Sequence, residues 1–165
     1  MNKYLFLLFF LCVSMSMQAK ISLPAYFTDN MIVQQKSMLT ISGVSAAGKE
    51  VIVKVGWNSK DFRVTSGTDG KFEVRVPTPK AGGPYTITID DGEPLFLQNV
   101  LVGEVWLCSG QSNMEMPIAG WGKVMNYEKE IAEAVYPSIR LLQVKKVISH
   151  VPSEKLEING DGWKE

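Results

Sequence analysis

Histidine, cysteine and net charge are scarce in this sequence. Its 165 residues include one histidine and two cysteines, and its 17 basic side chains are balanced by 17 acidic ones. Without a basic stripe or an excess of positive charge, the chain lacks the electrostatic footprint of a nucleic-acid-binding protein. A metal site of the usual zinc type needs several histidine or cysteine ligands, and no such cluster exists here. The sequence therefore predicts neither a nucleic-acid partner nor a metal site.

Long hydrophobic runs are also missing, except in the first nineteen residues. Lys3 precedes an apolar run over residues 4–13, and small and polar residues follow up to Ala19. This layout is typical of a secretory signal peptide, and the run is too short to span a membrane. We therefore expect export to the periplasm or the extracellular space, without membrane attachment after cleavage. Removal of Cys12 leaves Cys108 alone, so no intramolecular disulfide is expected.

Residues 20–100 consist of short alternating strands and turns. Apolar residues occupy every second position in residues 49–57, 71–76 and 85–89, without a helical period between them. Residues 67–70 (GTDG) have the composition of a hairpin turn joining the strands on either side. Short strands at this spacing indicate an antiparallel β-sandwich.

The pattern changes near residue 100. Residues 99–108 form a nearly continuous apolar run, which is typical of a strand covered on both faces in a parallel sheet. Residues 126–136 have helical spacing, with Asn126 as N-cap and Pro137 as the stop, and residues 139–148 resemble another strand. We therefore predict a signal peptide at 1–19, a β-sandwich domain at 20–100, and the start of an α/β domain at 101–165.

Ser112 follows the apolar run in a glycine-containing turn. A serine hydroxyl is a weak nucleophile unless it is held and activated, and a sharp strand-to-helix turn exposes it beside backbone N–H groups. Gly110 permits the tight backbone path. Met114 replaces the second glycine of the α/β-hydrolase elbow, so that motif fits poorly. Gln111 and Asn113 either shape the site or only stabilise the turn.

Two sequence blocks resemble a known family. Residues 110–114 (GQSNM) resemble the first block of the SGNH hydrolases. Residues 103–117 (GEVWLCSGQSNMEMP) are similar to the nucleophile region of the sialate O-acetylesterases, and residues 27–35 (FTDNMIVQQ) to the start of that family's β-domain. The resemblance extends from about residue 23 to residue 165.

The resemblance implies a β-sandwich followed by a flavodoxin-like, SGNH-type hydrolase domain. It implies a serine esterase that removes acetyl groups from sialic acids or related sugars, without a metal or organic cofactor. Ser112 would attack the acetyl carbonyl and form an acetyl-enzyme, with its own N–H in the oxyanion hole. A histidine would take the serine proton, and an aspartate would orient that histidine.

The sequence departs from the family pattern after Ser112. His150 is the only histidine, and Val147 stands three residues before it in place of an aspartate. No later glycine or asparagine block matches the family. We therefore expect that His150 is not the base, that the catalytic histidine and aspartate are not present in this chain, and that the hydrolase domain is truncated.

Other interpretations remain open at this point. The chain could be a non-catalytic, secreted β-sandwich module that binds carbohydrate or protein, or an esterase acting on acetylated xylan or another plant glycan. Trp121 is either a sugar-stacking platform or a packing anchor. Cys108 is expected to pack as a small hydrophobic residue and not to react as a thiol. The sequence does not indicate an oligomeric state.

Overall fold

The computed structural model describes residues 20–121, 124–153 and 155–165, so the predicted signal peptide lies outside the described residues. The described part is mostly β-sheet, with two short helices after the last strand. The strands are β1 (Ile32–Gln34), β2 (Met38–Val44), β3 (Glu50–Val55), β4 (Asn58–Thr65), β5 (Lys71–Pro77), β6 (Gly82–Asp90) and β7 (Pro94–Gly103), and the helices are α1 (Ser112–Glu115) and α2 (Tyr127–Glu133).

The strands form two sheets around one hydrophobic core. One sheet has the order β1-β7-β6-β3-β4, and the other contains β2 and β5. Alternate residues of a strand point to opposite faces, so β3 and β5 each turn every second residue inward. All sixteen buried apolar residues belong to one cluster, which draws on both sheets. The period-two alternation predicted from the sequence is confirmed in these strands.

The predicted hairpin around residues 67–70 is wrong. The turn itself forms, because the Gly70 N–H donates to the Gly67 carbonyl at 3.0 Å and the Lys71 N–H donates to Asp69 Oδ1 at 3.1 Å. However, β4 pairs with β3, whereas β5 pairs with β2 in the other sheet. The turn residues determined the local reversal of the chain, but they did not determine which strands pair.

The last strand, β7, runs from Pro94 to Gly103, so the prediction of a strand over residues 99–108 is wrong in its extent. The strands on both sides of β7 reach no further than its end. Gln34, the last residue of β1, pairs with Gly103 in parallel, and Gly82, the first residue of β6, pairs with Val102. Beyond Gly103 the backbone has no neighbouring strand to pair with, so the ladder stops there. The adjoining apolar side chains are left exposed. The domain boundary predicted near residue 100 falls inside β7 and stays a prediction.

The region after β7 contains fewer regular elements than its sequence pattern predicts. The helix predicted over residues 126–136 forms only as α2, which ends at Glu133. Asn126 is its N-cap in a left-handed conformation (φ 58°), without a side-chain capping bond. The strand predicted over residues 139–148 is wrong: that segment makes only two isolated antiparallel bridges, Leu141 with Lys164 and Val144 with Ile158. It lacks a neighbouring strand that would extend these bridges into a sheet.

The segment near residue 163 packs against the start of the β-region. The Trp163 ring N–H donates to the Tyr26 carbonyl at 2.9 Å, and the Trp163 backbone N–H donates to Thr28 Oγ1 at 3.3 Å. The buried Arg140 guanidinium forms a 2.6 Å ion pair with Glu165. The two Trp163 bonds connect the later region to the start of the β-region, whereas the Arg140–Glu165 pair lies within the later region. Neither helix among the described residues is long and apolar enough to cross a membrane.

Candidate functional site around Ser112

Ser112 is exposed, as expected for its glycine-containing turn, and it is the first residue of α1, a four-residue helix that the sequence pattern did not predict. Gln111 occupies the N-cap position with φ −111° and ψ −138°, and its side chain makes no capping bond. The turn is closed by the Met114 N–H, which donates to the Gln111 carbonyl at 2.9 Å. Gln111 therefore shapes the turn through its backbone.

Gly110 shapes the same turn through the absence of a side chain. A Cβ atom at this position would lie 2.7 Å from Cγ of Met114, which is closer than two carbon atoms can approach. Any larger residue at position 110 would therefore displace Met114 or open the turn. Asn113 is exposed and makes no side-chain hydrogen bond to any described residue, so the structure assigns it no shaping contact.

Ser112 has no activating partner in the described part of the chain. Neither its hydroxyl nor its backbone N–H forms a hydrogen bond with a described residue, which leaves both accessible. His150 is also exposed and makes no hydrogen bond to Ser112. The described residues thus present the serine without the serine–histidine hydrogen bond that general-base activation requires.

The neighbours of Ser112 are mostly solvent-exposed. Cys108 is exposed, so the expectation that it packs as a buried hydrophobic residue is wrong; β7 has already ended, and no second layer covers this position. Trp121 is 74% exposed and is available for stacking, but it is not a packing anchor among the described residues. Glu115 in α1 forms an ion pair with Lys146, which links the helix to the segment after α2.

A polar cluster at the end of β7 was missed by the sequence reasoning. Gln34 Nε2 donates to Glu104 Oε2 at 2.9 Å, and Gln35 Nε2 donates to Glu104 Oε1 at 2.7 Å. These two hydrogen bonds, followed by the nearby charge of Lys36, hold the pKa of the Glu104 carboxyl below its usual value of 4.5. The signal available in the sequence was that both family-like blocks, residues 27–35 and 103–117, contain members of the cluster.

The main cavity lies away from Ser112. It has a volume of about 760 Å³ and is lined by parts of residues 22–26, 42–44 and 71–73 together with Lys155 and Leu156. No group of three or more histidine, cysteine, aspartate or glutamate residues that could hold a metal ion is found in the described ranges.

Comparison with known proteins relates the chain to carbohydrate esterases. No family model matches the sequence. The chain is 33% identical over 148 residues to sialate O-acetylesterase from Rattus norvegicus, covering 82% of this chain and 26% of that protein. It is 33% identical over 137 residues to the Mus musculus protein of the same name, covering 76% and 25%. The chain is homologous to part of the sialate O-acetylesterases. The family resemblance predicted from the sequence is thus confirmed.

A solved structure agrees with this homology. The fold is similar to that of a carbohydrate acetylesterase from Xanthomonas citri, with a TM-score of 0.78 and 31% identity, over 88% of this chain and 32% of that one. The chain spans about a quarter of the length of the curated sialate O-acetylesterases that it matches.

The homology includes the region of Ser112. A continuous alignment over 82% of 165 residues spans about 135 of them, and any such stretch contains residues 31–135. The similarity to sialate O-acetylesterase is therefore not confined to the β-sheets.

Proposed function

We propose that this chain provides the nucleophile of an exported carbohydrate O-acetylesterase, and that Ser112 is that nucleophile. The observation that carries the proposal is the position of Ser112: it is exposed at the start of α1, within the region homologous to sialate O-acetylesterases. Gly110 supports the assignment, because its close approach to Met114 keeps the turn before the serine tight.

The proposed reaction has two steps. The Ser112 oxygen attacks the acetyl carbonyl carbon and its proton passes to a base, while backbone N–H groups, including that of Ser112, stabilise the oxyanion. Collapse of the tetrahedral intermediate breaks the bond to the sugar oxygen, which leaves as the protonated hydroxyl, and Ser112 remains acetylated. Water then hydrolyses this acetyl-enzyme and releases acetate. The proposal does not use His150 as the base, because it shares no hydrogen bond with Ser112 and because Val147, not an aspartate, stands three residues before it.

The finer organisation is part of the proposal. Residues 20–100 would be a β-sandwich domain, and residues 101–165 the opening of a flavodoxin-like, SGNH-type hydrolase domain. Residues 1–19 would direct export as a cleaved signal peptide. N-terminal sequencing of the exported protein should then begin at Lys20, and a retained Met1 in the exported protein would contradict the cleavage.

The proposed substrate is an acetylated sialic acid, after the name of the curated relatives. Acetylated xylan or another plant glycan is the alternative, and the similarity to a carbohydrate acetylesterase from Xanthomonas citri is compatible with either sugar. Acetate release from O-acetylated sialic acid should exceed that from acetylated xylan under matched conditions. The reverse order would change the substrate and leave the nucleophile unaffected.

The nucleophile is tested by covalent labelling of the protein expressed from the complete gene. A fluorophosphonate should modify Ser112, and peptide mass spectrometry should locate the adduct there. Ser112→Ala should abolish both the adduct and acetate release, whereas Ser109→Ala, in the same exposed turn, is the matched control and should retain both. Acetate release without an adduct at Ser112 would overturn the assignment.

A second candidate function is a carbohydrate- or protein-binding module without catalysis. It is favoured by the location of the core, because every buried apolar residue among those described lies between Ile21 and Val102. A cavity of about 760 Å³, lined mostly by residues of the same region, also favours it. Binding of glycans by the whole chain, combined with no labelling of Ser112 in the complete protein, would support this function. Labelling at Ser112 would exclude a purely non-catalytic role.

A further inference from the structure

Three side chains connect the end of β1 to the residue that follows β7. The two strands run in parallel, and their pairing ends where Gln34 meets Gly103. At this end Glu104 accepts hydrogen bonds from the amide groups of Gln34 and Gln35, at 2.9 and 2.7 Å. We call Gln34, Gln35 and Glu104 the clamp. The clamp is situated where the chain leaves the sheet and continues toward Ser112.

We propose that Glu104 is a positioning residue for Ser112, because the clamp fixes the direction in which residues 104–112 leave β7. This inference rests on the proposed function, since it gives the clamp a role in placing the nucleophile. Glu104 itself does not touch the reacting atoms in this proposal and acts only through the backbone that leads to the serine.

The clamp is the only hydrogen-bonded attachment of this segment among the described residues. Between Glu104 and Gly110, one backbone group is bonded to the rest of the described chain: the Val105 N–H donates to Gln34 Oε1 at 2.9 Å. The side chains of Val105, Trp106 and Leu107 are 44%, 82% and 93% exposed, so packing holds them only weakly. Removing the clamp would therefore free the backbone from Glu104 to the turn at Gly110, whereas Gly103 stays paired with β1.

Both glutamines are held at each end of their amide groups. Gln34 Oε1 accepts from the Val105 N–H, and Gln35 Oε1 accepts from the Ala81 N–H, both at 2.9 Å. Their nitrogens each reach a different oxygen of Glu104, so the carboxylate cannot rotate without breaking a bond. Hydrogen bonds to an ionised group are stronger than neutral ones, and a network in which each member is bonded holds one geometry.

The charge of Glu104 is maintained by its surroundings. The two amide donors contribute most to the lowered pKa of its carboxyl, and the ammonium group of Lys36 adds a smaller contribution. The carboxylate thus remains ionised at neutral pH and keeps both of its acceptor oxygens available.

The structural part of the inference is tested by NMR on the whole chain. Glu104→Ala removes the acceptor that holds the Gln34 amide, and Gln34 Oε1 is the acceptor of the Val105 N–H. We therefore expect the Val105 amide to exchange about tenfold faster, because its own hydrogen bond is weakened. Backbone order parameters for residues 106–112 should fall toward the values of flexible segments, below about 0.6. Glu93→Ala, an exposed glutamate in the turn between β6 and β7, is the matched control and should change neither quantity.

A conservative variant separates the clamp from general loss of stability. Glu104→Gln keeps one acceptor oxygen but directs an amide group at one of the two glutamine amides, so an intermediate effect is expected. In a double-mutant cycle, Gln35→Ala should add little once Glu104 is alanine, because the two residues act through one contact. Fully additive effects, with unchanged order parameters in residues 106–112, would overturn the clamp as a positioning device.

The functional part is tested in the protein expressed from the complete gene. Glu104→Ala should slow fluorophosphonate labelling of Ser112 by about 10- to 100-fold, as expected for a misplaced reacting group, while circular dichroism remains native. A labelling rate equal to that of the wild type would overturn the inference and leave Ser112 as the nucleophile. Absence of labelling in the wild type would instead overturn the proposed function, whatever the NMR result.

Discussion

The two parts of this chain, residues 20–103 and residues 104–165, contain similar apolar side chains but bury them very differently. Among the residues that the structure describes, all sixteen buried apolar ones lie in the first part. From residue 104 onward, the only buried positions in the described ranges are Arg140 and Gly162. Aliphatic and aromatic residues in the second part, such as Leu107 (93% exposed) and Ile148 (96% exposed), remain in contact with solvent.

The difference shows that an apolar pattern produces a core only where a second surface covers it. In the first part, two sheets face each other and each covers the inward residues of the other. In the second part, no strand extends the ladder beyond Gly103, and the bridges at Leu141 and Val144 remain isolated. Contiguous exposed apolar residues of this kind are typical of surfaces that another protein surface covers.

The largest effect is expected when the same substitution, isoleucine to alanine, is compared between the two parts. Ile87 in β6 is fully buried, so Ile87→Ala should lower the free energy of unfolding by about 2–5 kcal/mol through lost burial and a cavity. Ile148→Ala removes the same atoms at a position that is 96% exposed, and it should change the free energy of unfolding by less than about 0.5 kcal/mol. Urea unfolding measures both. A similar loss of unfolding free energy at the two positions would show that Ile148 is covered in solution. The two parts of the chain would then not differ in how they bury apolar side chains.

A smaller effect is expected where the second part contacts the first. Trp163→Phe removes the ring N–H that donates to the Tyr26 carbonyl, and should lower the free energy of unfolding by about 1 kcal/mol. It should also accelerate proteolysis of residues 139–165. Trp121→Phe is the matched control, because that ring is 74% exposed and makes no such bond among the described residues. Equal behaviour of the two variants would show that Trp163 does not anchor this region.

The smallest effect concerns the pH dependence of the clamp. The pKa of Glu104 is lowered in the folded chain, so its ionised form is favoured by folding. This contribution to stability is present above the unfolded pKa, near 4.5, and is lost as the pH falls through the lowered folded value. The difference in unfolding midpoint between the wild type and Glu104→Gln should therefore be constant near neutral pH and shrink below about pH 4.5.

Thermal unfolding at several pH values from neutral to acidic measures this difference. Gln34→Ala should weaken the same pH dependence, because the Gln34 amide is the largest cause of the lowered pKa. A difference between the wild type and Glu104→Gln that persists unchanged at the lowest pH would show that ionised Glu104 does not stabilise the folded chain.

Much of the local structure could be predicted from the sequence because it depends on near neighbours. The alternating apolar residues of β3, β5 and β6 indicated strands with one buried face, and the Gly-Thr-Asp-Gly segment indicated a turn. The exposure of Ser112 followed from the glycine-containing turn, whereas the short helix α1 was not predicted. The family resemblance came from two short blocks and was confirmed by comparison with curated relatives.

Pairing between distant parts of the chain could not be predicted in this way. β4 and β5 are consecutive and joined by a tight turn, yet they belong to different sheets, because β4 pairs with β3 and β5 pairs with β2. The strand predicted to reach Cys108 stops at Gly103, because β1 and β6 offer no further pairing positions. Cys108 is exposed for the same reason.

The sequence by itself determined which residues alternate between strand faces and where the chain turns. These features depend on side-chain type and on backbone conformations within a few residues. Only the tertiary structure brought Gln34 and Gln35 to Glu104, some seventy positions later, and Trp163 to Tyr26. Such contacts depend on strand register and on which surfaces of the sheets remain uncovered. Neither property can be predicted from a single segment of the chain.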